Sequence, residues 1–152
     1  MKDIKIICVG KIKEAYLADG IGAQLAAIRK KYPAVVIECR DEPTPDAASG
    51  AEERMIKEKE GERILARIRE EDYVAALCID GKHYDTSSWF AHMDHIRDRI
   101  SGSLIFVIGG SLGLSESVIR LADEKLSFSS MTFPHQLMRL ILMEQLAGWA
   151  GH

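Results

Sequence analysis

The sequence predicts an α/β protein whose parallel sheet is covered by helices on both faces. Short β-rich runs alternate with stretches of helical periodicity from end to end, with no internal repeat, linker or low-complexity segment. The most apolar run, Leu104-Ile105-Phe106-Val107-Ile108, opens at its carboxyl end into Gly109-Gly110-Ser111-Leu112-Gly113. Glycines there take positive φ readily and let a ligand approach the backbone, and open α/β sheets bind their ligands at the carboxyl ends of strands. With 152 residues, 47% apolar and 28% charged, the chain has the size and composition of one domain, residues 1–152.

Taken in order, Ile4 to Val9 reads as the first strand, closed by Gly10. Ala15 to Lys31 then places Leu17, Ile21, Leu25 and Ile28 at helical spacing, and Pro33 ends that helix. Val35-Val36-Ile37 with Cys39 makes a second strand, and Asp41 to Gly50, with Pro43 and Pro45, a loop. Ser49 followed by Glu52 is a capping-box pattern, after which Ile56, Glu60, Ile64, Leu65 and Ile68 trace a long, highly charged amphipathic helix. Tyr73 to Ile79 is a third, buried strand that turns at Asp80-Gly81. Thr86 or Ser87 caps the next helix, with Trp89, Met93, Ile96 and Ile100 on one stripe and Gly102 as its end.

Beyond the fourth strand, Leu104 to Ile108, come a short helix from Ser115 to Asp123, a short strand from Leu126 to Phe128, and a final helix from Pro134 to Trp149. In that last helix Leu137, Leu140, Ile141, Met143 and Leu146 are apolar, and Met138 and Leu142 widen the stripe. Such a helix is buried on more than one side, and a second subunit would provide the extra cover.

Composition narrows the function classes. No window approaches the roughly 18 apolar residues of a membrane span, and the N-terminus lacks the apolar core of a signal peptide, so a cytoplasmic protein with no membrane association is expected. Cys8, Cys39 and Cys78 are odd in number, far apart and in buried-strand segments, which supports neither a disulfide framework nor a metal or redox motif. A net charge of −3 and a pI of about 6.0 are no footprint of a general nucleic-acid binder. An RNA partner would be met on a local patch: Lys11 and Lys13, Arg29-Lys30-Lys31, or Arg40, residues that equally complement a helix terminus or solvate a surface.

Candidate chemistry is sparse. The glycine run is neither G-x-G-x-x-G nor a phosphate loop, and taken alone it is equally a structural turn. His92 and His95, near Asp94 and Asp98, supply two metal ligands with no evident third, so they read as a solvated face and no metal is expected. The loop Phe128-Ser129-Ser130-Met131-Thr132-Phe133 alternates hydroxyls with apolar groups, a lining that holds a flat heteroaromatic ring while main-chain groups read its edge. His135 follows Pro134 at the start of the last helix, beside unpaired N–H groups; its plain alternative is a helix-start histidine satisfied by local backbone.

Five stretches carry a family resemblance: Phe106-Val107-Ile108-Gly109-Gly110-Ser111-Leu112-Gly113-Leu114-Ser115, Leu126 through Arg139, and upstream Lys59-Glu60-Gly61-Glu62-Arg63-Ile64-Leu65 with Leu77-Cys78-Ile79-Asp80-Gly81-Lys82 and Val9 to Glu14. Together they closely resemble the RlmH (YbeA) family of SPOUT-class ribosomal RNA methyltransferases, over nearly the whole chain. The resemblance implies a homodimer with a C-terminal trefoil knot and S-adenosylmethionine bent into it, a threading that physical rules alone would not propose. It implies cofactor contacts at Leu77, Gly109, Phe128, Ser129, Ser130, Met131, Thr132 and Phe133. It implies methylation of N3 of a pseudouridine in a hairpin of large-subunit (23S) ribosomal RNA, on the assembled ribosome. His135, Arg139 and His152 are the expected substrate contacts; no catalytic residue is assigned.

One stretch departs from the family pattern. After Glu144-Gln145-Leu146 the family usually continues Tyr-Arg-Ala and runs on to a Tyr-His pair, whereas this chain reads Ala147-Gly148-Trp149-Ala150-Gly151-His152. That raises the alternative of a catalytically impaired, cofactor-binding, ribosome-associated protein. Gly148 and Gly151 are each expected to weaken the helix end by about 1 kcal/mol relative to Ala.

Overall fold

The computed structural model describes all 152 residues. Five strands, β1 (Ile4–Val9), β2 (Ala34–Cys39), β3 (Tyr73–His83), β4 (Leu104–Ile108) and β5 (Glu124–Ser127), form one sheet in the order β2-β1-β4-β3-β5. Every neighbouring pair is parallel. The connections are helices α1 (Ala15–Arg29), α2 (Gly50–Leu65), α3 (Thr86–Arg99) and α4 (Glu116–Leu121), and α5 (His135–Ala150) closes the chain.

The strand runs are continuously apolar because both sheet faces are covered, and the period of two sorts them. Ile4, Ile6 and Cys8 of β1, with Leu104, Phe106 and Ile108 of β4, face α1, α3 and α5 through Ile21, Met93 and Leu142. Ile7 and Val9, with Ile105 and Val107, face α2 and α4 through Ile64 and Val118. Cys8 and Cys39 are buried; burial pushes the Cys8 thiol up to about 12, which leaves it an inert core group.

Local chemistry sets most element ends. Ser49 Oγ accepts the Glu52 N–H at 3.1 Å while Glu52 Oε1 accepts the Ser49 N–H at 3.2 Å, the reciprocal box expected for α2. That helix stops at Leu65, so Ile68 packs from a turn rather than from the helix. The cap of α3 is Asp85, not Thr86 or Ser87: its Oδ1 accepts the Ser88 N–H at 2.7 Å, and a carboxylate there also meets the positive end of the helix dipole. That helix ends at Arg99, with Ile100 already extended, and Gly102 is required instead by the close passage of the Glu71 carbonyl. The last short helix starts after Ser115, and β5 begins at Glu124 and ends at Ser127, which leaves Phe128 in the following loop.

Two expectations are corrected. Asp80-Gly81 is not a turn: β3 runs through it to His83, with a register shift against β5 between Leu77 and Lys82. A Cβ on Gly81 would lie 2.7 Å from the carbonyl carbon of Lys125, so the glycine marks close backbone approach at a strand irregularity. The end of α5 is not loosened by Gly148. The helix continues to Ala150, a Cβ at 148 would press on Phe90 Cζ at 3.1 Å, and Trp149 is buried, stacked on Tyr32 at 5.0 Å and donating its Nε1–H to Asp94 at 2.9 Å.

Candidate active site

After β5 the chain turns back across the carboxyl ends of β3 and β4, and the space between these segments is a cleft of about 140 Å³. Its walls come from three places: Leu77, Cys78 and Ile79 of β3; Ile108 with the turn Gly109, Gly110, Gly113 and Leu114; and the loop from Ser127 onward, ending at His135 and Met138 of α5. Gly109 sits where no side chain fits, since a Cβ there would lie 2.7 Å from the carbonyl carbon and 2.8 Å from the carbonyl oxygen of Gly113. The turn folds back on itself through the bond from the Gly113 N–H to the Gly110 carbonyl at 3.0 Å, with Gly113 at φ +87°.

The loop from Phe128 to Phe133 forms no backbone–backbone hydrogen bond. Its shape is held by serines: Ser127 Oγ donates to the Ser129 carbonyl at 3.0 Å, and the Met131 N–H donates to Ser129 Oγ at 3.0 Å. The remaining peptide groups of the loop are free to meet a ligand or solvent.

Of the residues singled out in the sequence, Leu77, Gly109, Phe128, Ser129, Met131, Thr132 and Phe133 line the cleft, together with His135. Ser130 does not line it. Burial lowers the His135 imidazole below its ordinary value of 6.5, and the Arg139 guanidinium acts in the same direction against Asp41. His152 lies at the far end of α5, about 25 Å along the helix, against the Phe90 ring at 5.4 Å.

Arg139 is a correction. It is 1% exposed rather than presented to a substrate: Nη1 pairs with Glu38 Oε2 at 2.8 Å, and Nη2 donates to the carbonyls of Gly10 at 3.1 Å and Val9 at 3.3 Å. It ties the start of α5 to the ends of β1 and β2. His92 is likewise engaged, with Nε2 at 2.8 Å from Glu124 and its ring stacked on Tyr84, while His95 is exposed.

Glu60, which the sequence places on the stripe of α2 without a role at the site, is 5% exposed, next to the glycine turn, and holds the Glu42 N–H through Oε2 at 3.0 Å. Burial pushes its carboxyl above the usual range. The signal was present: Ile56, Glu60 and Ile64 recur every four residues, which puts a charge on the buried stripe.

A parallel sheet with a ligand cleft at the carboxyl ends of its central strands, crossed by the returning C-terminal segment, is the layout of a SPOUT methyltransferase. The family model described as "Predicted SPOUT methyltransferase" matches residues 1–147, and the chain belongs to that family. Ribosomal RNA large subunit methyltransferase H of Clostridium acetobutylicum is 46% identical over 144 residues, covering 95% of this chain and 91% of that protein. The same-named proteins of Listeria monocytogenes and Streptococcus thermophilus are 44% and 46% identical over 144 and 143 residues. These relatives place the chain within the RlmH branch of the family. A crystal structure of a probable methyltransferase from Bordetella pertussis Tohama I, 14% identical, shares the fold with a TM-score of 0.55 over 98% of this chain and 96% of that one. The SPOUT fold carries a C-terminal trefoil knot, and its methyl donor is S-adenosylmethionine.

The cleft suits that donor. Leu77, Ile108, Leu114 and Phe128 offer apolar surface to a flat ring, and the unpaired peptide groups of the loop offer donors and acceptors to its edge. At about 140 Å³ it is smaller than the ~300–1,000 Å³ of sites that enclose a whole drug-sized ligand, with room for a ring and not for the whole donor.

Proposed function

We propose that this cleft presents a methyl group to N3 of a pseudouridine in large-subunit ribosomal RNA. The chain is an S-adenosylmethionine-dependent ribosomal RNA methyltransferase. The observation that carries the reading is the loop Phe128 to Phe133, whose peptide groups bond to no other peptide group and which lines one cleft together with the Gly109 turn.

When bound, S-adenosylmethionine supplies an electrophilic sulfonium methyl for in-line attack by N3, with S-adenosylhomocysteine as the leaving group and the N3 proton passing to solvent. The chain's own task is therefore alignment, which by itself contributes a large part of such rate enhancements. Gly109 lets the turn close on Gly113 and so shapes this wall of the cleft, the loop from Ser129 to Phe133 holds the ligand, and Phe128 with Leu114 covers the ring. His135, kept neutral at physiological pH by burial, lies at the wall of the cleft as a hydrogen-bonding group for the incoming base.

The enzyme works as one domain and as a homodimer, in the cytoplasm, on assembled ribosomes. Ile79 at 52% exposure, Met131 at 71% and Phe133 at 37% support the dimer, since these large apolar side chains at the cleft mouth are the ones a second copy would cover. No helix is long and apolar enough to cross a membrane.

The test is transfer of labelled methyl from S-adenosylmethionine to ribosomes lacking the modification, with the product nucleoside identified after digestion. N3-methylpseudouridine in the large-subunit RNA is the expected product. Label at another base, or none despite cofactor binding, refutes the reading.

A further inference from the structure

We propose that a second cleft beside the first receives the RNA nucleotide to be methylated, and that the free carboxyl oxygen of Glu60 reads the base by accepting one of its ring N–H groups. This deepens the methyl-transfer reading above and rests on it. The second cleft, about 670 Å³, lies over the carboxyl ends of β1 and β2, between the loops that follow them and the Gly110-Ser111 turn. It adjoins the donor cleft directly, because Gly110 and His135 belong to the walls of both. Its volume lies in the ~300–1,000 Å³ range of sites that enclose a small ligand, and most of the side chains that line it are polar or charged. That lining suits a nucleotide with its phosphates better than the flat apolar ring face the first cleft accommodates.

The rim has the charge an RNA backbone needs. Lys11, Lys13 and Arg40 are exposed at this cleft, and none of them is in an ion pair. Of the carboxylates in this wall, Glu38 is engaged by Arg139 and Glu42 by Arg63, while Asp41 and Glu60 are in no ion pair, so the three cations still outnumber the unpaired carboxylates. An acidic chain thereby keeps a local cationic rim for phosphates. Arg29, the other basic candidate in the sequence, is at the opposite end of the sheet, donating to the Ala34 carbonyl at 2.8 Å.

Glu60 lies in the wall of this cleft. Its Oε2 is taken by the Glu42 N–H, while Oε1 has no hydrogen-bond partner and faces the glycine turn: a methyl group on Gly110 would lie 3.5 Å from it. That oxygen keeps contact with solvent and is available to a donor carried by a ligand. Pseudouridine carries two ring N–H groups, N1–H and N3–H, where uridine carries only N3–H. With N3 turned to the methyl donor, N1–H is the group left for an acceptor. A site built to accept an N–H rejects the analogue that lacks it, so Glu60 selects pseudouridine over uridine.

Glu60→Gln separates this role from a structural one. Glutamine keeps an oxygen for the Glu42 N–H and turns an amide donor toward the turn. Wild type and variant are compared on ribosomes carrying pseudouridine or uridine at the target position, with ribosome binding followed by cosedimentation. The expected result is a roughly tenfold or greater fall in the pseudouridine-to-uridine preference, with melting temperature and S-adenosylmethionine affinity unchanged. The combined variant Lys11→Ala, Lys13→Ala, Arg40→Ala is expected to weaken cosedimentation roughly tenfold, with a higher KM for ribosomes, an unchanged kcat and unchanged cofactor affinity. These surface changes leave the core intact, so the binding arm stands even if Glu60→Gln fails to fold. Unchanged preference in Glu60→Gln, or unchanged ribosome binding in the triple variant, overturns the assignment while the methyl-transfer reading survives. A wild-type chain that binds cofactor but methylates neither ribosome overturns the methyl-transfer reading, and this assignment with it.

Discussion

Replacing Arg139 by Met is expected to destabilise the protein by about 2–4 kcal/mol, because the buried guanidinium satisfies three acceptors at once. Methionine fills a similar volume, so little cavity is created. What is lost is one ion pair and two bonds to main-chain carbonyls, at 2.8, 3.1 and 3.3 Å. Breaking a buried pair typically costs about 3–5 kcal/mol, but the Glu38 side chain is 37% exposed and rehydrates when its partner goes, which lowers that share. The carbonyls of Val9 and Gly10 are then left short of a donor at roughly 1–3 kcal/mol each, toward the low end for the longer bond. For a chain of this size a loss of 2–4 kcal/mol lowers the melting temperature by roughly 4–16 °C. The assay is thermal and urea unfolding of wild type, Arg139→Met and Arg139→Lys, with lysine expected to recover part of the loss through Glu38 alone. If Arg139→Met melts within about 2 °C of wild type yet no longer binds ribosomes, the arginine serves the substrate and the clamp assignment is wrong.

Four further outcomes follow from the same geometry. Ser49→Ala removes the Oγ that accepts the Glu52 N–H, leaves the reciprocal bond from the Ser49 N–H to Glu52 Oε1, and should cost about 1 kcal/mol in urea unfolding without changing methyl transfer; an unchanged midpoint would contradict the cap. Gly61→Ala drives a methyl into the Ser115 side chain, 3.2 Å from its Cβ, and 3.4 Å from Val118 Cγ2, so it should cost about 1–3 kcal/mol; adding Ser115→Ala should restore part of this, and strict additivity of the two would count against the contact. Gly109→Val should abolish S-adenosylmethionine binding in calorimetry, because any side chain there displaces Gly113; retained affinity would move the cofactor elsewhere. His135 has a native value below its ordinary 6.5, so the unfolded chain binds more protons in that interval and stability falls as pH drops below about 6.5. The wild-type melting temperature should therefore decline more steeply from pH 7.5 to 5.5 than that of His135→Gln, and parallel curves would refute the shift.

Much of the architecture is legible in the sequence because its determinants are local. The Ser49–Glu52 box, the uninterrupted apolar run of β4 and the stripe Trp89, Met93, Ile96 each announce their element without reference to the rest of the chain. What the sequence misplaces is decided by distant partners. Asp80-Gly81 has the composition of a turn, yet the glycine is there because β5 passes against it. Asp85 outcompetes Thr86 as a cap through the strength of a carboxylate acceptor, a difference that composition does not rank. The cleft residues come from β3, from the turn after β4 and from the loop after β5, and only the family resemblance joined them before the fold was seen. Glu60 and Arg139 look like ordinary charged helix residues until their burial is known.

Those two residues also explain how a small sheet holds its chemistry in place. Both are charges on the apolar side of a helix, and each binds main-chain groups next to the carboxyl ends of the first two strands: Arg139 the carbonyls of Val9 and Gly10, Glu60 the N–H of Glu42. An apolar contact at those points would let α5 and the β2–α2 loop slide, since hydrophobic packing is non-directional. Hydrogen bonds of fixed geometry do not allow that freedom, and they set α5 so that His135, one turn before Arg139, stands at the junction of the two clefts. The loop from Phe128 to Phe133 has no backbone ladder of its own and is anchored at its far end by that same helix. Loosening Arg139 should therefore weaken cofactor binding as well as the fold. In Arg139→Met, S-adenosylmethionine affinity measured well below the melting transition should fall, although Arg139 does not itself line the donor cleft. Affinity equal to wild type would show that the loop keeps its shape through the Ser127 and Ser129 bonds alone.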